Sequence, residues 1–236
     1  ETLVSSVKEI PLPLAGSPED QFLHQVILAN PEIYFAKLVI IGEGDSERIV
    51  IPRIAEALGV VLDSSFVAFV PIGGRHAQHL WKLARGLDIP HLTLLDFDLG
   101  RHNGGMGRIK NAKNWLSDSG VAFDASVIIP ENSQLTAEHA ENWVRWLRGC
   151  GVFYSAYLDL DMMMVKAFPA AYKPKRAFDI SRDKPAKIAE AVFGSSGLGN
   201  SELKIIGAQF SNEELYAYKK LFKTRSKPAS HYQALA

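Results

Sequence analysis

The stretch KLVIIGEGDSERIVIPRIAEALG, residues 37–59, decides the fold that the sequence predicts. Its apolar run over residues 38–41 is short and β-branched and stops at Gly42, which is typical of a buried strand in a parallel sheet. Apolar residues then recur at helical spacing up to Gly59, which suits the end of a helix. The stretch therefore predicts a strand, a tight connection and a helix, in which Pro52 is an unfavourable interior residue.

The same succession of strand, loop and helix occurs twice more along the chain. FVAFVPI (residues 66–72) and HLTLLDFD (residues 91–98) have strand patterns, and a helical pattern follows each of them. Regular alternation of this kind indicates βαβ units with right-handed crossovers. We therefore predict an α/β fold in which helices flank a parallel sheet.

After residue 130 the pattern becomes mainly helical, apart from one strand-like run that ends near Tyr157. We expect a leading segment and helix over residues 1–30 and an α/β core over residues 31–130. Residues 131–236 would form a mainly helical subdomain that completes the functional site.

Composition limits the classes of function. The 26 basic and 26 acidic residues give a formal net charge of zero, so any contact with nucleic acid must come from local charge or from bound metal. No apolar run approaches the roughly 20 residues that a membrane helix needs, so we expect no membrane partner. The only cysteine, Cys150, cannot form an internal disulfide, which fits a reducing, cytoplasmic location.

Two acidic clusters follow strands of the predicted sheet. Glu43 comes directly after the first strand, and Glu47 lies in the first turn of the next helix. Asp96 and Asp98 close the third strand, where their i, i+2 spacing would send both side chains to the same side of an extended backbone. Ligands of open parallel sheets bind beyond the carboxyl ends of the strands. If the first and third strands are neighbours, these carboxylates meet in one small volume.

Carboxylates packed so closely repel one another and raise one another's pKa, which a divalent cation would relieve. Mg²⁺ prefers oxygen ligands, and two such ions can stabilise the attacking and leaving oxygens of a phosphodiester. Taken singly, Glu47 could merely complement a helix N-terminus, and Asp96 and Asp98 could be turn residues. Because both clusters lie at strand ends, metal binding is the favoured interpretation.

A third acidic pair and a glycine-rich loop lie near these clusters in the predicted topology. One of Asp159 and Asp161 is accounted for as a helix N-cap or first-turn acid, and Asp161 could equally be a further metal ligand. The loop LGRHNGGMGR is no Walker A sequence, so we interpret it as a mobile loop beside the site. Its Arg101 and Arg108 would contact substrate phosphates.

Two lysines precede prolines that favour the first turn of a helix. Lys227 would therefore begin a C-terminal helix, where the helix dipole disfavours a cation. A lysine at that position indicates a partner of opposite charge, such as a phosphate or the acidic cluster. Lys184 is a second candidate on the same grounds.

With these residues in view, the sequence resembles the Toprim domain of overcoming-lysogenization-defect (OLD) nucleases. A glutamate after the first strand and a DxD after a later strand form the Toprim signature. The segments LDLDMMMVKAFPAAY and LFKTRSKPASHYQAL, together with the added Glu47, are similar to that nuclease family in particular. The first motif reads GEG where many relatives have VEG, which is a change beside the metal rather than a lost ligand.

The resemblance implies a two-metal DNA endonuclease that uses Mg²⁺ or Mn²⁺, in which Lys227 is catalytic together with Glu43 and Asp98. The positions that match metal-binding acids are Glu43, Glu47, Asp96, Asp98 and Asp161, and less closely Asp159. Family members carry an ATPase domain before the Toprim region, and this sequence has no P-loop, so the chain corresponds to a C-terminal nuclease region. The alternatives are another Toprim enzyme, such as a primase or topoisomerase, and a non-catalytic metal- or phosphate-binding module.

Overall fold

The computed structural model describes residue 10 and residues 12–73, 77–123, 128–194 and 198–236. Most of the leading segment predicted before the first helix lies outside these described residues. The strands are β1 (Leu38–Gly42), β2 (Val67–Pro71), β3 (His91–Asp96) and β4 (Val152–Ser155). The α-helices are α1 (Pro18–Ala29), α2 (Asp45–Ala57), α3 (Ala77–Gly86), α4 (Met106–Asp118), α5 (Ala137–Gly149), α6 (Leu160–Ala167), α7 (Pro185–Phe193), α8 (Asn200–Gln209), α9 (Asn212–Tyr218) and α10 (Lys227–Ala234).

The strands form one sheet in the order β2-β1-β3-β4, and every neighbouring pair is parallel. The predicted α/β fold class is therefore confirmed. Strand β1 lies inside the sheet between β2 and β3, which explains its continuous apolar run, and its Val39 and Ile41 are fully buried. Its register with β3 pairs Ile41 with Thr93. The first and third strands are thus neighbours in the sheet, as predicted.

Helices cover the sheet and bring distant parts of the chain to its carboxyl edge. Trp81 of α3 packs on the sheet and donates a 2.8 Å hydrogen bond to the hydroxyl of Thr93. Helix α2 contacts both α6 and α10, so residues near 160 and 227 lie beside the first strand–helix connection. Among the helices of the described residues, none is long and apolar enough to cross a bilayer.

The structure adds local detail to these expectations. Helix α2 continues through Pro52 without a break. Helix α8 was not predicted, and a single π turn, Lys219–Lys223, extends α9. The fourth strand comes from the mainly helical second half of the chain and joins the sheet of the first half. The division at residue 130 remains a prediction.

The connection after β3 differs from the predicted extended backbone. The strand ends at Asp96, and Asp98 has a left-handed backbone with φ 54°. Side-chain alternation therefore does not bring Asp96 and Asp98 together, and the reason given for their proximity was wrong. A turn does so instead, since the amide of Arg101 donates to the Asp98 carbonyl (2.9 Å). Aspartate is among the few non-glycine residues that enter this region readily.

The glycine-rich loop packs tightly against Asp98. A Cβ atom at Gly104 would lie only 1.8 Å from the Asp98 carbonyl oxygen, so only glycine fits there. The amide of Gly105 donates to the Phe97 carbonyl (2.7 Å), and Leu99 is fully buried. The glycines therefore serve the close packing of the turn that presents Asp98.

Candidate metal centre

Three carboxylates converge at the carboxyl edge of the sheet. One oxygen from each of Asp96, Asp98 and Asp159 lies within 4.8 Å of the others. Asp96 ends β3, Asp98 belongs to the turn that follows, and Asp159 precedes α6. The parallel pairing of β3 with β4 brings these elements together, because both strands end at this edge.

Asp96 is held by polar groups of the β4–α6 connection. Its Oδ1 accepts hydrogen bonds from the Ser155 hydroxyl (2.7 Å) and the Leu160 amide (3.2 Å). Burial raises the pKa of Asp96 well above its usual range, and the charges of Asp159 and Glu43 raise it further. Ionising this carboxyl without a cation is therefore unfavourable.

Two arginines contact Asp98, one on each carboxylate oxygen. Arg101 Nη1 lies 2.5 Å from Oδ1, and Arg108 Nη2 lies 2.5 Å from Oδ2. Both arginine side chains are largely buried, with 20% and 27% of their surface exposed. The two residues predicted to contact substrate phosphates thus bind the acidic cluster itself in this structure.

Asp159 combines a structural contact with a place in the cluster. Its Oδ1 caps α6 by accepting from the Met162 amide (2.9 Å). Its Oδ2 accepts from Arg101 Nη1 (2.9 Å) and from the buried Tyr218 hydroxyl (2.5 Å). The structure therefore groups Asp159, rather than Asp161, with Asp96 and Asp98.

Glu43 lies at the end of β1 and faces the same cluster. Its Oε1 accepts a hydrogen bond from the Asp96 amide (2.9 Å) and lies 3.7 Å from Arg108 Nη1. Burial raises the pKa of Glu43, while the Arg108 charge and the Asp96 amide oppose that rise. The predicted meeting of the first and third strand ends is thus realised by a direct hydrogen bond.

A cleft of about 390 Å³ adjoins these residues and continues towards α10. Its lining includes Glu43, Glu47, Asp96, Asp161 and Lys227. Glu47 is almost fully buried, and its Oε2 accepts from the Gly44 amide (2.9 Å), so it also caps α2. Burial raises the pKa of Glu47 to about 7, with Asp161 and Glu43 adding to the rise.

Asp161 forms the far wall of the cleft with two residues of α10. Lys227 Nζ lies 2.5 Å from its Oδ2, and His231 Nε2 lies 2.8 Å from its Oδ1. The other ring nitrogen of His231 lies 2.8 Å from the Tyr172 hydroxyl. Although burial acts in the opposite direction, His231 and Lys227 lower the pKa of Asp161 to about 2. Lys227 begins α10, and the anion opposite it is Asp161.

Several of these contacts were missed at the level of sequence. His231 and Tyr218 are fully buried partners of the acids, and neither was singled out. The i, i+4 spacing of Lys227 and His231 on one helix was a signal that both could face the same acid. Lys184, by contrast, is exposed at the start of α7 and has no described contact with the acidic residues. Its role in substrate binding remains a prediction.

The residues fit a hard divalent cation. All donors in the cluster are carboxylate oxygens, which are the ligands that Mg²⁺ and similar ions prefer. Burial is the main cause of the raised pKa values of Asp96, Glu43 and Glu47, and neighbouring acids add to it, so a bound cation would favour the charged forms of these groups. Fold and site together define a parallel α/β domain with an acidic, metal-compatible centre at the carboxyl edge of its sheet.

Comparison with known families identifies the segment that carries this centre. Residues 34–98 match the family described as the overcoming lysogenization defect protein-like Toprim domain. The match includes Glu43, Glu47, Asp96 and Asp98. The predicted OLD-like Toprim region is thus confirmed over this segment. No curated protein sequence matches the chain.

Solved structures of OLD proteins are similar to most of the chain. The C-terminal region of the Xanthomonas campestris pv. campestris OLD protein has 21% identity and a TM-score of 0.44, over 86% of this chain and 92% of that chain. The C-terminal region of the Burkholderia pseudomallei OLD protein has 21% identity and a TM-score of 0.43, over 85% of this chain and 96% of that chain.

Proposed function

We propose that this chain is a divalent-metal-dependent DNA endonuclease that hydrolyses phosphodiester bonds with two Mg²⁺ or Mn²⁺ ions. The observation that carries the proposal is the cluster of Asp96, Asp98 and Asp159, whose oxygens lie within 4.8 Å at the edge of an OLD-like Toprim domain. We further propose that the chain is the nuclease part of a cytoplasmic protein that also has an N-terminal ATPase domain.

The acids would hold the ions in two groups. Asp96, Asp98 and Asp159 would hold one ion, and Glu43, beside Asp96, would contribute towards a second on the cleft side with Glu47 and Asp161. Bound divalent ions supply Lewis-acid stabilisation of the attacking and leaving oxygens of the phosphodiester.

Lys227 is the residue best placed to meet a phosphate in the cleft. Lys227 lines the same cleft as Glu43, and its ammonium is oriented by the 2.5 Å contact with Asp161. A fixed cation at this position would stabilise charge that develops on the scissile phosphate, an effect worth about 10²–10³ in rate for one preorganised donor. Its contact with Asp161 keeps the lysine charged, because Asp161 raises the Lys227 pKa against the opposing effect of burial.

Arg101 and Arg108 would hold Asp98 in place and offset its charge. Each contacts a different oxygen of the same carboxylate, which fixes the plane of the group. Because Lys227 lines the cleft and neither arginine is among its lining residues, we assign the arginines to positioning Asp98 and direct phosphate contact to Lys227.

The proposal is tested with supercoiled plasmid in Mn²⁺, in Mg²⁺ and in excess EDTA. We expect nicked and linear DNA only with metal, and Lys227→Ala should lower the single-turnover rate by about 10²–10³. Lys204→Ala, an exposed lysine on α8, is the matched control and should cleave normally. Cleavage that persists in EDTA, or a Lys227→Ala variant with normal rate, would contradict the proposal.

One observation favours a non-catalytic metal- or phosphate-binding module as the second candidate. The arginine pairs of Asp98 already neutralise part of the acidic cluster. Such a module would bind Mn²⁺ by calorimetry yet leave plasmid intact at every metal concentration.

A further inference from the structure

A second cavity, of about 230 Å³, lies between the segment around residue 175 and the π turn that follows α9. Four cationic side chains line it: Lys175, Arg176, Lys220 and Arg225. We call this cavity, with Tyr216 in its wall, the basic pocket. The chain has no net charge, so a concentration of cations at one place is a local feature rather than a consequence of composition.

Tyr216 organises the pocket. Arg176 and Lys220 lie over its ring, with the guanidinium carbon and the ammonium 5.3 Å and 5.4 Å from the ring centroid. The ring packs edge-on against Phe178 at 5.8 Å, so both the aromatic platform and the cations above it have defined places.

The Tyr216 side chain, which lines the pocket, has a hydroxyl left unsatisfied within the described part of the chain. Tyr216 is only 2% exposed, and its hydroxyl is buried without a hydrogen-bond partner among the described residues. Leaving a buried hydroxyl unsatisfied costs free energy, and most such groups in proteins are paired. A ligand that accepts a hydrogen bond and carries negative charge would satisfy the hydroxyl and the cations together.

The charge of the pocket indicates that its ligand is a phosphate group. Asp183 pairs with Arg176 at 2.7 Å and offsets one of the four cations, which leaves a clear excess of positive charge. Phosphate oxygens accept hydrogen bonds from arginine, lysine and tyrosine, and these contacts strengthen with charge.

We propose that the basic pocket binds a phosphate of the DNA backbone near the scissile bond, an inference that rests on the proposed function. Arg225 is two residues from Lys227, so their Cα atoms are at most about 7–8 Å apart. A strand whose scissile phosphate meets Lys227 would bring a phosphate a few nucleotides away to the pocket. The pocket thus sets the path of the strand, while the acidic cleft performs the hydrolysis.

The test measures DNA binding without cleavage. Fluorescence anisotropy of a labelled duplex in EDTA, at several salt concentrations, gives the slope of log affinity against log salt. Losing the pocket's phosphate contact in Lys220→Ala/Arg225→Ala should reduce that slope by about 0.9. The control Arg145→Ala/Lys204→Ala removes the same charges from exposed sites on α5 and α8 and should keep the wild-type slope. An unchanged slope in the pocket variant overturns the proposal.

A second variant tests the hydroxyl. Tyr216→Phe keeps the ring and should weaken duplex binding by about two- to tenfold with an unaltered salt slope, because it removes one neutral donor. Unchanged affinity in Tyr216→Phe would contradict a ligand contact at this hydroxyl. Circular dichroism and thermal melting of each variant separate these effects from a loss of fold.

The source of the phosphate is distinguished with inorganic phosphate as a probe. If millimolar phosphate stabilises wild type but not the pocket double variant, while duplex slopes stay equal, the site takes free phosphate and the DNA assignment is overturned. The binding measurement is independent of hydrolysis. A reduced salt slope in the pocket double variant, with no cleavage by wild type in Mn²⁺, would contradict the proposed nuclease function and support phosphate binding in the pocket. Cleavage by wild type with an unchanged slope in the double variant would support the nuclease function and contradict the phosphate-binding pocket.

Discussion

Glu47 both caps a helix and lines the acidic cleft. It caps α2 through the Gly44 amide, as the electrostatic interpretation of a helix start required, and it also lines the acidic cleft. The two are compatible because a carboxylate has more acceptor sites than one cap uses. Because Glu47 is a buried acid, its titration should change the free energy of unfolding of the metal-free chain with pH.

We predict that Glu47→Gln stabilises the metal-free chain above neutral pH. The pKa of Glu47 is raised to about 7 in the folded chain, from an ordinary value of 4.5, so the free energy of unfolding should fall as pH rises between these two values. Glutamine still accepts from Gly44 but has no proton to lose, so the variant should gain up to about 3 kcal/mol at pH 8.

Urea unfolding in EDTA at pH 5 and pH 8 measures this difference. Glu202→Gln is the matched control, because Glu202 caps α8 through the Gly199 amide (2.9 Å) in the same way but lines no acidic cleft. An equal gain in both variants would show that the cap, and not the cleft, is responsible.

Asp96 and Asp98 should respond oppositely to loss of charge. Asp96→Asn keeps an acceptor oxygen for the Ser155 hydroxyl and the Leu160 amide. It also removes a carboxyl group whose pKa is strongly raised by burial, so the free energy of unfolding without metal should stay the same or increase. Asp98→Asn leaves Arg101 and Arg108 without their shared anion and should cost about 1–3 kcal/mol.

Asparagine is a suitable replacement at position 98, because it tolerates the left-handed backbone there. Denaturant midpoints in EDTA at pH 7.5 give the comparison. Equal losses in the two variants, or a larger loss for Asp96→Asn, would contradict the pairing scheme. Both variants should lose cleavage if the proposed function is correct.

Between neighbouring strands, the unusual GEG of the first motif has a packing explanation. A Cβ at Gly42 of β1 would lie 2.5 Å from the ring of Phe69 on β2 and 3.1 Å from Glu47 Cβ. The large side chain on one strand therefore occupies the space that a valine on the other would need. Phe69 on the neighbouring strand thus fills the space beside Gly42, so the glycine of the GEG motif is explained by packing within the sheet rather than by the metal site.

We predict strong coupling between Gly42 and Phe69. Gly42→Val should destabilise the chain by about 1–3 kcal/mol through overpacking, and Phe69→Ala in the same chain should recover much of that loss. A double-mutant cycle of unfolding free energies measures the coupling. Pairing Gly42→Val with Phe66→Ala, an exposed phenylalanine just before β2, is the control and should show additive effects. Additivity in the Gly42–Phe69 pair would contradict the explanation.

For the chain as a complete unit, metal binding should couple to pH and to stability. Burial and neighbouring acids raise the pKa values of Asp96, Glu43 and Glu47, so ion binding must release protons and weakens as pH falls. We predict that Mn²⁺ at about 100 times its dissociation constant stabilises the chain by about 2.7 kcal/mol at pH 8.

That stabilisation should shrink steadily towards pH 5.5. Thermal melting at matched ionic strength, with K⁺ in place of Mn²⁺ as control, checks the prediction. The Asp96→Asn/Asp98→Asn double variant should show little Mn²⁺ effect at any pH. A metal shift of equal size at both pH values would indicate binding away from the acidic centre.

The sequence alone determined the parallel α/β fold and the strand-end acids Glu43, Asp96 and Asp98. Apolar runs and helical spacing are local patterns, and parallel strands necessarily present their carboxyl ends at one edge. The sequence also placed Lys227 at the start of α10, since proline favours the first turn of a helix.

Only the tertiary structure decided which groups meet. It grouped Asp159 with Asp96 and Asp98, placed Asp161 with Lys227 and His231, and turned the loop arginines inward. The contacts of Asp159 and Asp161 with Arg101 and His231 join residues 58 and 70 positions apart in the chain. No local periodicity encodes such pairs, because they depend on how α6, α9 and α10 pack against the sheet edge. Even the proximity of Asp96 and Asp98 came from a left-handed turn and a glycine contact rather than from strand alternation.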